Sequence, residues 1–227
     1  VLLRGSIFVR GQNSSLRAES LQKVLFDTAF VEAKEMINIY GGMQSIRDAT
    51  GETVQDVIDR LYPTLDPLDP GYVAPPTPGN EQQPDDISVE ILERAQITSL
   101  GSGSDINIFG DTDVVNKGTV VAGGSIGPTG VTWKGPDSLL TVTAGQQVNL
   151  PSGGLLASDS VIITGGEPGP DDNSLNPEET VPLSVFIDTA AGVTAAGITT
   201  DPIGGGLLHI QGDDTVEILG RLYAGGN

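Results

Sequence analysis

Short runs of alternating apolar and polar residues fill the chain from residue 104 to its end. The apolar members of each run are spaced by two, most are β-branched, and Gly residues separate the runs. This period of two predicts β-strands with one buried face, and helical periodicity is absent from this part. The clearest pairs are Ile106 and Ile108, Leu140 and Val142, Val148 and Leu150, Val161 and Ile163, Val185 and Ile187, Leu208 and Ile210, and Val216 and Ile218.

The same order of features recurs within this part of the chain. Segments 108–124 and 210–226 align without a gap and share eight identical positions, among them Gly110/Gly212 and Asp111/Asp213. A third copy, residues 140–157, keeps the order with one extra residue near Pro151. Each unit therefore consists of a short strand, a Gly, a second short strand, another Gly and a third strand of small residues.

A unit of about 20 residues cannot bury its own apolar face, whereas stacked units bury a continuous core. We therefore predict an all-β chain folded as a parallel β-helix, a solenoid in which Gly residues mark the corners. The alternative is an antiparallel β-sandwich, which also has short strands and Gly turns. Residues 1–42 and 104–227 are predicted to form solenoid coils, the second part with an insertion at 167–179.

Residues 43–103 interrupt the strand pattern. Apolar residues between Val54 and Leu61 follow helical spacing, and Thr53 precedes them as a candidate N-cap. Seven Pro residues then lie between positions 63 and 84, where neither a helix nor a strand ladder is favoured. We predict a short helix followed by a Pro-rich loop, together an excursion from the solenoid.

The charge balance excludes two classes of partner. With 30 acidic and 11 basic residues, the formal net charge is −19, so nucleic acids and anionic membranes are not expected to bind. Cys is absent, which excludes disulfides and thiolate metal sites, and no apolar run is long enough for a membrane helix. The apolar start and the Ala-Gly-Gly near the end predict that both termini are cuts through a longer polypeptide.

Acidic residues next to equivalent Gly corners are the candidates for chemistry. Asp111 and Asp113 lie in one repeat, and Asp213 and Asp214 lie in its copy 102 residues later, or four to five coils. That distance is about 20 Å along a solenoid, whereas a glycosidase pair needs about 5–9.5 Å. His209, the only histidine, is predicted to be exposed beside no nucleophile. We therefore predict no catalytic residues and a chain that is not an enzyme.

Calcium is the one cofactor that the acidic loops suggest. Asp111, Asp113, Asp213 and Asp214 offer hard oxygen ligands in turns. Neither the glycine-rich nonapeptide of calcium β-rolls nor an EF-hand loop is present, and Asp in a turn commonly hydrogen-bonds its own backbone. These four residues are the candidate metal ligands.

The repeats at 140–157 and 215–226 resemble those of filamentous-haemagglutinin-like proteins and other giant bacterial surface proteins with right-handed parallel β-helices. The resemblance covers residues 104–227 and, more loosely, 1–42. It implies a secreted fibre on the bacterial cell surface that adheres to other surfaces or cells. The Asn-Pro-Asn motifs of that family's secretion domain are absent, because Asn176-Pro177 is followed by Glu178.

The predicted function is a structural or adhesive segment of such an extracellular fibre, acting by assembly and surface display. Its expected partners are other copies or segments of the same surface protein, with glycans and cell-surface receptors as further candidates. The alternative is a carbohydrate-binding or carbohydrate-active β-helix that uses the 43–103 excursion as a groove wall.

Overall fold

A computed structural model describes residues 1–61, 87–166, 183–200 and 205–225. It is 57% strand and 9% helix. The two helices are α1 (Met43–Thr50) and α2 (Val54–Leu61). The strands are β1 (Leu2–Val9), β2 (Ser15–Ser20), β3 (Val24–Ala33), β4 (Met36–Gly41), β5 (Ile87–Ile91), β6 (Gln96–Ser99), β7 (Ile106–Gly110), β8 (Asp113–Asn116), β9 (Thr119–Ala122), β10 (Gly124–Gly127), β11 (Gly130–Trp133), β12 (Leu139–Ala144), β13 (Val148–Leu150), β14 (Gly153–Ala157), β15 (Ser160–Gly165), β16 (Leu183–Ile187), β17 (Ala191–Ala195), β18 (Leu208–Gly212), β19 (Thr215–Ile218) and β20 (Arg221–Ala224).

Two large sheets contain almost all of these strands. The six-stranded sheet has the order β18-β15-β12-β7-β4-β2. The twelve-stranded sheet, the long sheet below, has the order β19-β16-β13-β8-β5-β3-β6-β9-β14-β17-β20, with β1 paired to β3. Neighbours in both sheets lie one repeat apart in sequence, so each repeat adds one strand to the six-stranded sheet and two to the long sheet. Strand β3 is long enough to pair with both β5 and β6.

Every strand pair in these two sheets is parallel among the described residues. Antiparallel pairing is confined there to the β10–β11 hairpin. The mostly β class and the parallel pairing are therefore confirmed. The two facing antiparallel layers of a β-sandwich do not describe this arrangement.

The register places like residues on top of one another. In the six-stranded sheet one apolar column runs through Leu16, Ile37, Ile106, Leu140, Val161 and Leu208. Residues inside such columns are fully buried, and they form one continuous apolar cluster from Ala18 to Ala195. The spacing of two that predicted the strands therefore marks the residues whose side chains face this shared core.

The helix predicted after Thr53 is confirmed as α2. The backbone amide of Asp56 donates to Oγ1 of Thr53 at 3.2 Å, and the Asp56 carboxylate accepts from the Thr53 amide at 3.1 Å. This reciprocal pair is a capping box at the helix start. Helix α1 was not predicted. Neither described helix is long and apolar enough to span a membrane.

The predicted excursion is shorter than 43–103. Residues 87–99, assigned to it from the sequence, form β5 and β6 and join the long sheet. Ser88 is an extra residue in β5, where the register to β8 shifts between Ile87 and Val89, and this bulge hides the strand's alternation. Most of the Pro-rich stretch and the insertion at 167–179 lie outside the described residues.

Candidate functional site

Two chain segments leave the stacked strands at the same corner. The first leaves after Gly41-Gly42 at the end of β4, and the second after Gly165-Gly166 at the end of β15. Both strands belong to the six-stranded sheet, and Gly41 and Gly165 occupy one column of its register. The two insertions predicted from the sequence therefore start from equivalent positions.

After both segments, the chain re-enters the long sheet through a strand with a β-bulge. Ser88 and Ser184 are the extra residues of matching bulges in β5 and β16. Each serine is buried, and its Oγ accepts a hydrogen bond from a backbone amide of the following repeat. The amide is that of Thr112 at 2.8 Å in the first case and that of Asp214 at 3.0 Å in the second. The Ser-Val pairs at 88–89 and 184–185 are the sequence signal for these returns.

An aspartate of the following repeat lies over each exit point. Asp111 packs against Gly42 and Asp213 against Gly166, so closely that a Cβ on either glycine would overlap the carboxylate. Both glycines have a positive φ, 107° at Gly42 and 70° at Gly166, which L-residues rarely adopt. The Gly-Asp steps shared by the two repeats therefore belong to the exit corner, which we call the excursion corner (Gly41, Gly42, Ser88, Asp111 and their equivalents Gly165, Gly166, Ser184, Asp213).

Asp111 accepts hydrogen bonds from the first backbone amides of α1. Its carboxylate accepts hydrogen bonds from the backbone amides of Gln44 at 2.7 Å and Ser45 at 2.6 Å, and from Oγ of Ser45 at 2.6 Å. These amides have no partner within the helix, so Asp111 caps α1 from another part of the chain. Burial raises the pKa of Asp111, against the opposing effect of the hydrogen bonds from Ser45 and Gln44.

The two helices pack on the outer face of the six-stranded sheet. Tyr40 and Phe109 are neighbours in the register, and their rings stack with centroids 5.6 Å apart. Apolar residues of α1 and α2 cover this pair, among them Ile46 and Val57. Arg60 of α2 joins the carboxylate of Glu52 at 2.7 Å and also that of Glu19 on β2. The described part of the first excursion is thus a fixed platform on the sheet.

The four candidate metal ligands do not come together. Asp111 directly follows β7, and Asp213 directly follows β18. These two strands are three strand spacings apart in the six-stranded sheet, or about 14 Å. The sequence-based estimate of four to five coils was too large, because residues inserted between β15 and β16 and the β10–β11 hairpin add length without adding a layer. The separation still exceeds that of a glycosidase carboxylate pair.

The remaining candidates are dispersed as well. Asp113 begins β8, and the side chain of Asp214 is exposed beyond the Gly212 corner. Within the described ranges, no group of three or more His, Asp or Glu side chains could hold a metal ion. His209 is exposed, as predicted, and its Nε2 lies 3.3 Å from Oε1 of Gln211. Of the four candidates, Asp111 caps α1, and Asp213 accepts a hydrogen bond from Oγ of Ser184.

The first and last described layers each have one uncovered face. In the last repeat, Val216, Ile218 and Leu222 continue the core columns of Val185, Ile187 and Val193, yet they are exposed because no described strand covers them. In the first layer, the outer edge of β1 pairs with no described strand.

Comparison of the chain with protein-family models, with curated proteins and with solved structures gave no significant match.

Proposed function

We propose that this chain is a right-handed parallel β-helix segment of a bacterial extracellular surface fibre, and that it acts by assembly and surface display. The observation that carries the proposal is the register: one core continues through every described repeat. Stacked units of this kind extend by adding strands. The right hand follows the general preference of parallel crossover connections.

The excursion corner supports the display part of the proposal. Loops on a rigid scaffold are where proteins commonly place binding residues. Here matching Gly, Asp and Ser residues let the chain leave and rejoin the stack twice without interrupting its core. The two exit points lie at one corner, about 14 Å apart, so both inserted segments start from the same side of the stack.

The resemblance to filamentous-haemagglutinin-like repeats gives the proposed location. A net charge of −19 keeps an elongated surface solvated and disfavours binding to anionic lipids. The proposed partners are other copies or segments of the same surface protein, with glycans or cell receptors as targets of the displayed side.

Immunogold electron microscopy of the producing cells tests this function. An antibody raised against the purified chain is expected to label filaments on intact cells, and brief external protease treatment is expected to remove the label. Labelling seen only after the cells are permeabilised would contradict the proposal. In parallel, the chain is expected to leave pectate and alginate intact, because their acid groups meet an acidic surface; depolymerisation of either polymer would favour an enzyme instead.

A further inference from the structure

The β10–β11 hairpin lies on the outer face of the long sheet. Along β6 and β9, Ile97 and Val120 point into the core, and the alternate residues Thr98 and Val121 point outward. These outward residues are nevertheless only 1% and 0% exposed. The hairpin contacts both strands, and a Cβ on Gly124 would lie 3.0 Å from Cγ1 of Val121. The hairpin therefore covers this part of the outer face.

The next two strands of the same face, β14 and β17, remain uncovered by the described residues. Their outward residues, which we call the glycine face, are half-buried and carry no charge in a chain of net charge −19. They are Gly154, Leu156, Gly192 and Thr194. Both strands have a paired neighbour on each side, so this face belongs to the interior of the stack.

The two glycines leave a gap in the row of outward side chains. Gly154 and Gly192 are direct partners in the register, and neither has a positive φ. Among the described residues, a Cβ on Gly192 would meet only the carbonyl oxygen of Arg221, at 3.9 Å. A Cβ on Gly154 would approach the flexible tip of Leu156 at 2.9 Å. Backbone conformation and packing therefore do not require glycine here, and a strand glycine of this kind marks a place where a ligand can approach the backbone.

Trp133 of β11 stands at the border of the glycine face. Its Cε3 would lie 3.1 Å from a Cβ on Gly124, next to Val121, and Val121 pairs with Leu156 in the register. The Trp133 side chain is half-buried, and its indole N–H has no hydrogen-bond partner among the described residues. The border therefore offers an aromatic surface and a hydrogen-bond donor to a ligand.

We infer that the glycine face and Trp133 form a binding site for neutral glycans. A pyranose ring has an apolar side that can stack on an indole, and it has hydroxyls that can pair with the Trp133 N–H and the Thr194 hydroxyl. The gap over Gly154 and Gly192 admits a flat ring close to the strands. Acidic glycans are disfavoured by the net charge of −19. The inference rests on the proposed function, for which it names the class of target and the site.

Trp133 also provides the measurement, because it is the only tryptophan of the chain. The purified protein is titrated with neutral hexasaccharides of glucose, mannose, galactose and xylose while the tryptophan emission is recorded. At least one of them is expected to change the emission to saturation. Oligogalacturonate and oligoalginate of the same length are expected to cause no saturable change at the same concentrations.

The Gly192→Leu variant tests the position of the site. Its Cβ has room among the described residues, so the fold is expected to remain intact, with an unchanged Tm, while the new side chain fills the gap. Affinity for the neutral glycan should fall by about tenfold or more. Gly11→Leu is the matched control, because a Cβ at Gly11 is equally unobstructed, at 3.9 Å from Cβ of Ser14, and Gly11 lies in the turn after β1. Its affinity should equal that of the unchanged protein.

The remaining outcomes overturn the inference. Equal affinity of G192L and G11L would place the glycan elsewhere, a response to the acidic probes alone would give the wrong ligand class, and no response to any neutral probe would show that the face is not a glycan site. Filament labelling on cells without glycan binding would remove this inference alone. Glycan binding that G192L weakens, without surface labelling, would remove the proposed location alone.

Discussion

Replacement of Gly153 by Ala is expected to destabilise the protein by on the order of 4 kcal/mol, at the upper end of single substitutions. Gly153 has φ of +78°, a conformation that costs an L-residue about 1–2 kcal/mol. A Cβ at this position would also overlap the carbonyl oxygen of Gly118 and lie 2.6 Å from that of Lys117. These are backbone atoms of the neighbouring layer, so they cannot move without disturbing the pairing of β9 with β14.

Urea unfolding of the G153A variant beside G103A measures this effect. Gly103 has a similar φ of +62°, but a Cβ there would meet no atom within 4 Å. G103A should therefore lose only the conformational part, about 1 kcal/mol. Similar losses in the two variants would contradict the close stacking of layers at the Gly153 corner.

Replacement of Asp111 by Ala is expected to release the helical platform. The change removes the acceptor of two helix-start amides and of the Ser45 hydroxyl, which should cost about 2–3 kcal/mol. Hydrogen exchange should show the loss first at the amides of α1, while the buried strands of the six-stranded sheet keep their protection.

Asp213→Ala is the matched control for the excursion corner. Asp213 occupies the equivalent position, but its described side-chain bond is a single one, accepted from Oγ of Ser184 at 2.6 Å. Its replacement should cost about 1 kcal/mol and leave exchange in α1 unchanged. If D111A and D213A affected α1 equally, the assigned role of Asp111 would be wrong.

The strands and their stacking could be predicted from the sequence, because burial of one strand face imposes a spacing of two on the apolar residues. Ile106 and Ile108 show that period, and the repeat of the same features at Leu208 and Ile210 predicted equivalent places in one sheet. The structure puts both pairs in the same register columns. Strand β5 was missed because the bulge at Ser88 shifts the alternation by one residue.

The excursion corner could be predicted only in part from the sequence. The acidic residues after Gly110 and Gly212 stood out, and turn formation was among the roles expected of them. The partner of Asp111 was not predictable, because Ser45 lies 66 residues earlier in the chain and meets it only through parallel stacking. Residue counts also misjudged the distance between Asp111 and Asp213, since inserted segments lengthen a repeat without adding a layer.

The central claim is that successive repeats stack in parallel and in register, and an intramolecular disulfide tests it most directly. Thr143 of β12 lies opposite Thr164 of β15, whereas Thr141 lies opposite Ile162. The T143C/T164C variant should therefore oxidise quantitatively within the monomer, and T141C/T164C should remain largely reduced under the same conditions. Efficient closure of T141C/T164C with failure of T143C/T164C is the pattern of antiparallel neighbours, and it would contradict the stacked architecture and the proposal of a fibre.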